Sequence, residues 1–249
     1  MTGISAAHYD RRTVLRVVVG IPALLALSAR AARAQNSATQ PLKIATIGAG
    51  HIGGTLGSLW VKAGHPVMFS SRHPEELASL VQGLGSLAKS GTVAEAIAFG
   101  DAVLIAVPYG AYPQLGKDYA SQLAGKVVLD AGNAVAARDG EITTEAKQEG
   151  IGLTSAKYLP GARIVRAFNS MSHKFFISEA NRSGARMAIP LAGDDKDALT
   201  IASTLVHDAG FDPVVIGPLT RAKDFAQGAP LYNQQLTAAE MRQRAEALK

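Results

Sequence analysis

The sequence of 249 residues contains no cysteine. Without cysteine the chain cannot form disulfide bonds, thiolate metal sites or a cysteine nucleophile. A chain free of thiols suits an oxidising compartment, although many proteins of reducing compartments also lack cysteine. The absence therefore excludes several kinds of site without assigning a compartment.

Most of the sequence also lacks an excess of charge of either sign. The formal net charge is +5, but residues 1–34 hold five arginines and one aspartate, which give a net charge of +4. The remaining residues carry 20 basic and 19 acidic side chains, a net charge of +1. A nearly neutral chain gives no electrostatic reason to expect a nucleic-acid partner.

A long hydrophobic run is absent as well. The apolar run 17–29 is interrupted by Pro22 and would rise only about 20 Å as a helix, less than the ~30 Å of a bilayer core. Basic residues precede this run, and the small residues Ala32 and Ala34 follow it. This order is typical of a cleaved signal peptide, so we expect no membrane anchor after cleavage.

The route of export is predicted from the pair Arg11 and Arg12, which lies shortly before the apolar run. The pair resembles a twin-arginine (Tat) signal, which exports proteins in the folded state. A Sec signal that happens to contain two arginines remains the alternative. We therefore predict a signal peptide over residues 1–34, a linker over 35–41, and a periplasmic or otherwise exported protein.

The following residues alternate between short apolar runs and amphipathic helices, which predicts an α/β fold with a doubly wound, Rossmann-type parallel sheet and helices on both faces. A single nucleotide-binding domain is expected over residues 42–218, with a polar, mostly helical tail over 219–249. A capping box is predicted at Thr92, and a helix cap at Asp194 or Asp195. The predicted strands are Lys43–Ile47, Pro66–Ser70, Asp101–Val107, Lys126–Asp130, Arg163–Phe168, Met187–Ala192 and Pro213–Ile216.

A glycine motif lies between the first predicted strand and the first predicted helix. Gly48, Gly50 and Gly53 form the pattern G-x-G-x-x-G. In a βαβ unit the first glycine permits the tight turn, the second lets a pyrophosphate approach the backbone, and the third lets helix and strand pack closely. This position of the motif predicts a dinucleotide site, whereas a glycine-rich turn without a ligand is the alternative.

The end of the second predicted strand lacks the acidic residue that binds the ribose of NAD. Ser70, Ser71 and Arg72 stand there instead. A carboxylate would repel the 2′-phosphate of NADP, whereas hydroxyl groups can donate to it and an arginine can pair with it. Ser71 and Arg72, with Ser70 as a further candidate, therefore predict NADP. The alternative is that these residues merely precede the helix that begins at Pro74.

Two further loops follow predicted strands, at Val107-Pro108-Tyr109 and at Asp130-Ala131-Gly132-Asn133. Ligands of such sheets bind outside the carboxyl ends of the strands. Both loops are therefore expected to line the nicotinamide end of the site.

The segments IGAGHIGGTLGSLWVKAGHPVMFSSR, DAVLIAVPY, VVLDAGNA and YLPGARIVRAFNSM, in this order, resemble the coenzyme F420-dependent NADP oxidoreductase family, which includes the NADP-binding domain of STEAP metalloreductases. The resemblance covers about Leu42 to Gly217. It implies that Gly50, His51 and Ile52 contact the pyrophosphate, and that Ser71 and Arg72 contact the 2′-phosphate. It places four residues near the nicotinamide: Val107, Pro108, Asn133 and Ala167.

The resemblance also implies hydride transfer between NADPH and a flavin, deazaflavin (F420) or similar small-molecule acceptor, which needs two stacked rings more than an acid or base. Tyr109 and His173 are the only weak catalytic candidates; a pocket wall for Tyr109 and a surface loop for His173 are the simpler interpretations. Two alternatives stay open, a non-catalytic NADP-binding or partner-binding protein and a small carbonyl or imine reductase. We predict no metal site, and the sequence allows a homodimer.

Overall fold

The computed structural model describes residues 41–249. The predicted signal peptide and almost all of the predicted linker lie outside the described residues. Residues 41–249 form one compact unit. In this part of the chain no helix is both long enough and apolar enough to span a bilayer.

The centre of the domain is one eight-stranded sheet with the strand order β3-β2-β1-β4-β5-β6-β7-β8. Strands β1 to β6 are parallel, and β7 and β8 are parallel to each other. The strands are β1 (Ile44–Ile47), β2 (Val67–Ser70), β3 (Ala88–Gly91), β4 (Ala102–Ile105), β5 (Val127–Asp130), β6 (Arg163–Arg166), β7 (Ala188–Gly193) and β8 (Asp212–Gly217).

Helices cover both faces of this sheet, as a doubly wound fold requires. Three 3₁₀ helices, at Pro74–Leu77, Tyr109–Ala111 and Leu219–Phe225, complete the described elements. Numbered over the described residues, the α-helices are α1 (His51–Lys62), α2 (Ala78–Leu84), α3 (Val93–Phe99), α4 (Tyr112–Leu123), α5 (Ala136–Asp139), α6 (Ile142–Glu149), α7 (Ile151–Tyr158), α8 (His173–Glu179), α9 (Lys196–Asp208) and α10 (Ala238–Glu246).

The strands are buried on both faces because successive side chains of a strand point to opposite sides. In β4, Val103 belongs to the core on the side of α3, α4, α7 and α10, whereas Leu104 belongs to the core on the side of α1, α8 and α9. Trp60 of α1 anchors the second core, and its indole N–H donates to Leu205 O of α9 at 2.7 Å. The predicted Rossmann-type sheet is thereby confirmed.

One pair of strands departs from the predicted parallel arrangement, since β7 runs antiparallel to β6. The connection between them contains only the seven-residue helix α8, which is about 10 Å long. A parallel connection needs a crossover that returns the chain to the opposite edge of the sheet. The chain instead stays at the carboxyl edge of β6, so β7 starts there and runs back.

Strand β3 and helices α5 to α8 were not predicted. Strand β3 has the sequence AKSG, and its two central residues are exposed, so it carries no apolar run. Its structure comes from pairing with β2 at the edge of the sheet. Helices α5, α6 and α7 are short, and Gly140 and Gly150 separate them with φ of +68° and +93°. These interruptions hide the helical periodicity.

Two predicted helix caps are confirmed. Thr92 and Glu95 form both hydrogen bonds of a capping box at the start of α3. Asp195 caps α9 by accepting from Ala198 N at 2.8 Å. Asp194 has a different role, because its carboxylate accepts from Leu219 N at 2.9 Å and so holds the start of the tail.

The tail over 219–249 packs on the sheet with its apolar side chains. Leu219, Phe225, Leu231, Leu236 and Met241 are all buried in the core that α3 and α4 cover. Its described helices are the 3₁₀ helix Leu219–Phe225 and α10, with an irregular segment between them. The segment pairs with the sheet through Ala188 N, which donates to Leu236 O at 2.8 Å.

Candidate dinucleotide-binding site

The glycine motif forms the turn between β1 and α1, and each glycine has a different environment. Gly48 has φ of +92°, and a Cβ on it would lie 2.6 Å from Ala106 O. A Cβ on Gly53 would lie 1.9 Å from Gly48 O, so α1 can pack against the turn only with glycine there. Gly50 is exposed, and a Cβ added to it would have nothing within 4 Å. The turn is therefore tight on its inner side and open toward solvent.

The open side of the turn presents the amino terminus of α1. Gly50 is the N-cap residue, and no side chain caps the helix. The first N–H groups of an α-helix lack partners within the helix, and the helix dipole places partial positive charge there. This end of α1 is thus suited to an anion such as a pyrophosphate.

His51 and His173 meet beside this turn. Their rings stack with centroids 4.3 Å apart and an angle of 12° between the planes. His51 is the first residue of α1, and His173 is the first residue of α8. His173 therefore begins a helix rather than lying in a surface loop, and the stack joins the glycine turn to the segment that follows β6.

The three residues at the end of β2 have different roles. The hydroxyl of Ser70 is buried and donates to Thr46 O at 2.8 Å, so it faces the sheet. Ser71 Oγ accepts from His73 N at 3.1 Å. Arg72 is exposed, and none of the ion pairs within residues 41–249 includes it. Ser71 and Arg72 therefore remain the candidates for a 2′-phosphate.

The loop after β4 carries Val107, Pro108 and Tyr109. Pro108 is exposed and Val107 is half-buried, whereas Tyr109 is completely buried. The hydroxyl of Tyr109 donates to Ile151 O at 2.8 Å and lies 2.9 Å from Ser155 Oγ. Burial raises the pKa of Tyr109, and the nearby carboxylate of Asp130 adds to the increase. This environment suits a structural side chain more than a proton donor.

A buried ion pair lies beneath the loop after β5. Asp130 ends β5 and Arg166 ends β6; their side chains are 2.7 Å apart and completely buried. Tyr112 donates to Asp130 Oδ1 at 2.5 Å, and burial raises the pKa of Tyr112 well above its ordinary value. Burial, the largest single influence, would lower the pKa of Arg166, but Asp130 and the neighbouring Tyr112 and Tyr109 together outweigh it and raise the pKa.

The ion pair also fixes the backbone of this loop. Gly132 N donates to Asp130 Oδ1 at 3.0 Å, and Arg166 Nη2 donates to Gly132 O at 2.6 Å. Sequence reasoning did not predict the pair. The signal was present, because Arg166 stands within an apolar strand, and a charge in a buried strand needs a partner.

A pair of asparagines joins the loops after β5 and β6. Asn133 Nδ2 donates to Asn169 O at 2.6 Å, and Asn169 Nδ2 donates to Phe225 O at 3.1 Å. Among residues 41–249, the buried Oδ1 of Asn169 has no hydrogen-bond partner. Ala167, the other residue predicted here, is completely buried. An unpaired buried acceptor therefore lies where the nicotinamide is predicted.

Phe168, which lies between Ala167 and Asn169, has φ of +62° and is completely buried. A bulky residue rarely adopts this conformation, which costs of order 1 to 3 kcal/mol and is often found at functional sites. Its ring packs edge-on against Trp60 and Phe176. This packing holds the turn that brings Asn169 back toward the loop after β5.

Together these features define a Rossmann-type dinucleotide-binding domain. The predicted site residues come from the loops after β1, β2, β4, β5 and β6, and these loops lie along one edge of the sheet. Within the described residues, no group of three or more histidine, aspartate or glutamate side chains is arranged to hold a metal ion.

Comparison with known sequences supports an NADP-dependent oxidoreductase. Residues 43–134 match the family model described as NADP oxidoreductase coenzyme F420-dependent. The chain is also 28% identical over 186 residues to Metalloreductase STEAP3 of Rattus norvegicus. That match spans 73% of the chain but only 35% of the length of STEAP3. The match to this family model and the fold together support NADP(H) as the nucleotide.

Two solved structures have the same fold. A hypothetical protein from Sinorhizobium meliloti is 25% identical with a TM-score of 0.68, and the match covers 82% of this chain and 98% of that one. A protein from an Arthrobacter species, described as a "putative f420 dependent nadp-reductase", is 22% identical with a TM-score of 0.65. That match covers 79% of this chain and 99% of the other.

Proposed function

We propose that the protein is an NADP(H)-dependent oxidoreductase that transfers hydride between NADPH and a flavin, a deazaflavin such as F420, or a similar acceptor. The observation that carries the proposal is the glycine turn, which is packed at Gly48 and Gly53 but open at Gly50. A nucleotide pyrophosphate fits there because the backbone of Gly50 is accessible and the first N–H groups of α1 are free of side-chain caps.

The residues around the predicted nicotinamide end also suit NADPH. When bound, NADPH supplies the hydride. Asn169 offers a buried carbonyl oxygen that has no partner within residues 41–249, and the carboxamide of a nicotinamide could donate to it. Asn133 is held beside it by the hydrogen bond to Asn169 O, and the preceding Gly132 is fixed by Asp130. These contacts orient a ring, and orientation is the main requirement of hydride transfer.

The choice of NADP over NAD rests on Ser71 and Arg72. Arg72 is exposed at the end of β2, where the acidic residue of NAD-binding folds would stand. A guanidinium can bind the 2′-phosphate with two parallel hydrogen bonds.

The first test is calorimetric titration of the full-length protein with NADPH and then NADH. We expect NADPH to bind at least about tenfold tighter, a difference of 1.4 kcal/mol. Arg72→Ala should weaken NADPH binding by about 1.5 to 3 kcal/mol, the scale of a hydrogen bond to a charged group, and leave NADH nearly unchanged. Arg242→Ala, at an exposed position of α10, is the control. Equal losses for both nucleotides would refute the role of Arg72.

The reaction itself is tested by NADPH oxidation with FMN, F420 or a ferric chelate as acceptor. Turnover with one of them supports hydride transfer. Tight binding of NADPH without turnover would instead indicate the non-catalytic alternative. A carbonyl or imine reductase would require a proton donor. Because Tyr109 is completely buried, the informative variant is His173→Ala, and loss of rate with normal NADPH binding would support that alternative.

Export is a separate part of the proposal and rests on the sequence of residues 1–34. A Tat substrate crosses the membrane folded, so the nucleotide could be bound before export. Replacing Arg11 and Arg12 with lysine should retain the protein in the cytoplasm if the signal is of the Tat type. Unchanged export of that variant would favour the Sec alternative.

A further inference from the structure

A cavity separate from the glycine turn lies next to the predicted nicotinamide end. It has a volume of about 540 Å³ and lies between helices α6 and α7 and the 3₁₀ helix Leu219–Phe225. Ala134, the residue after Asn133, lines it, so the cavity adjoins the loop that follows β5. Its size falls in the range of about 300 to 1,000 Å³ that is usual for small-molecule sites.

The walls of this cavity are mainly aliphatic. Ala146, Ile151 and Leu219 form its buried part, and Leu153 contributes an exposed side chain. One polar atom stands out, because the buried hydroxyl of Thr143 has no hydrogen-bond partner among residues 41–249. A ligand with an apolar body and at least one polar atom would satisfy this surface.

The charge of the cavity is positive. Lys147 and Lys223 both line it and are exposed. Within residues 41–249, neither lysine takes part in an ion pair. The one acidic residue of the lining, Glu149, is paired with Lys157 at 3.3 Å. Two ammonium groups are therefore available to an anion.

We propose that this cavity binds an organic anion with a flat or aliphatic body, whose charged group lies between Lys147 and Lys223. This inference deepens the proposed function and rests on it in one respect: the ligand is the hydride acceptor, and its uncharged end lies beside Ala134. Neither the glycine turn nor Arg72 takes part in this second site.

The test uses the full-length protein without NADPH and two kinds of fluorescent probe, a pair of flavins and an aromatic sulfonate. FMN and riboflavin share the isoalloxazine ring, but only FMN carries a phosphate. We expect FMN to bind at least about fivefold tighter than riboflavin, because only its phosphate can pair with the two lysines. The titrations are made at low salt, since salt screens exposed ion pairs. The apolar anion 8-anilinonaphthalene-1-sulfonate is the second probe, in case the ring system of FMN is too large.

Three variants locate the binding. Lys147→Gln with Lys223→Gln should remove the advantage of FMN over riboflavin and weaken the sulfonate probe. Thr220→Trp fills the cavity from an exposed position and should abolish binding of all probes while the protein remains folded. Lys89→Gln with Lys117→Gln, two exposed lysines outside the cavity lining, is the control and should bind like the wild type.

The inference is overturned if neither FMN nor the sulfonate probe binds, if the lysine variant binds both normally, or if Thr220→Trp has no effect. NADPH titration of the same samples separates this outcome from failure of the proposed function. Normal NADPH binding with no probe binding refutes the second site alone. Probe binding that depends on the lysines, without NADPH binding, refutes the proposed function but supports the cavity as an anion site.

Discussion

Two arginines on β6, three residues apart, show how much the surroundings of a charge decide its role. Arg163 pairs with Asp195 at 2.7 Å, and the two side chains are 31% and 40% exposed. Arg166 pairs with Asp130 at the same distance with no exposure of either side chain. Water screens the first pair, so it adds little to stability. Removing one partner of the second pair would leave a charge buried without compensation.

Arg166→Met should therefore lower the free energy of unfolding by about 3 to 5 kcal/mol, because the carboxylate of Asp130 stays buried and unpaired. Arg163→Met on the same strand should cost about 1 kcal/mol or less. Urea unfolding followed by circular dichroism measures both. Adding Asp130→Asn to Arg166→Met should recover part of the loss, since the uncompensated charge is gone. Similar losses for the two arginine variants would contradict this explanation.

At the scale of an element, the packing of α1 against β1 separates the structural glycines from the one that faces a ligand. Gly53 has no room for a methyl group, because the added Cβ would overlap Gly48 O. Gly50 has open space around it and extended backbone angles, with φ of −74° and ψ of −156°. Its φ is negative and space is free around it, so the fold itself does not require glycine at position 50.

Gly50→Ala and Gly53→Ala therefore form a matched pair of variants. Gly50→Ala should leave the free energy of unfolding within about 0.5 kcal/mol of the wild type, as for an ordinary surface change. It should weaken NADPH binding at least about tenfold, because the methyl group lies where the pyrophosphate approaches the backbone. Gly53→Ala should lose stability and binding together. Calorimetric titration and urea unfolding measure the two quantities, and wild-type affinity in Gly50→Ala would show that the pyrophosphate lies elsewhere.

For the whole molecule, the features that sequence analysis predicted are those that local patterns encode. The apolar runs of β1 and β4 and the capping box at Thr92 depend only on neighbouring residues. The glycine turn and the loops of the candidate site follow from the order of strands along the chain. The reversal of β7, the pairing of β3 and the partner of Arg166 depend on residues distant in sequence, which no local pattern specifies.

Two tyrosines should determine how stability changes at alkaline pH. Burial raises the pKa of both Tyr109 and Tyr112 above the ordinary value of 10.0. Below about pH 10 the two tyrosines stay protonated in both the native and the unfolded state, and the stability that the protonated side chains provide is fully present. As the pH rises further the unfolded state loses protons that the native state retains. The free energy of unfolding then falls by up to about 1.4 kcal/mol per pH unit for each tyrosine.

The double variant Tyr109→Phe with Tyr112→Phe should flatten this decline. The protein should still fold, because Ser155 Oγ also donates to Ile151 O at 3.0 Å and Arg166 remains paired with Asp130. Urea unfolding at pH 7 corrects for the lost hydrogen bonds, which should cost about 1 to 3 kcal/mol each if a partner is left unsatisfied. The measurement is the slope of unfolding free energy between about pH 10 and 11.5, where tyrosines of the unfolded state ionise and those of the native state keep their protons. Equal slopes in the variant and the wild type would mean that the two hydroxyls ionise in the native state as readily as in the unfolded state. The interior around Asp130 would then be accessible to water, and the loop at Gly132 would have no fixed support.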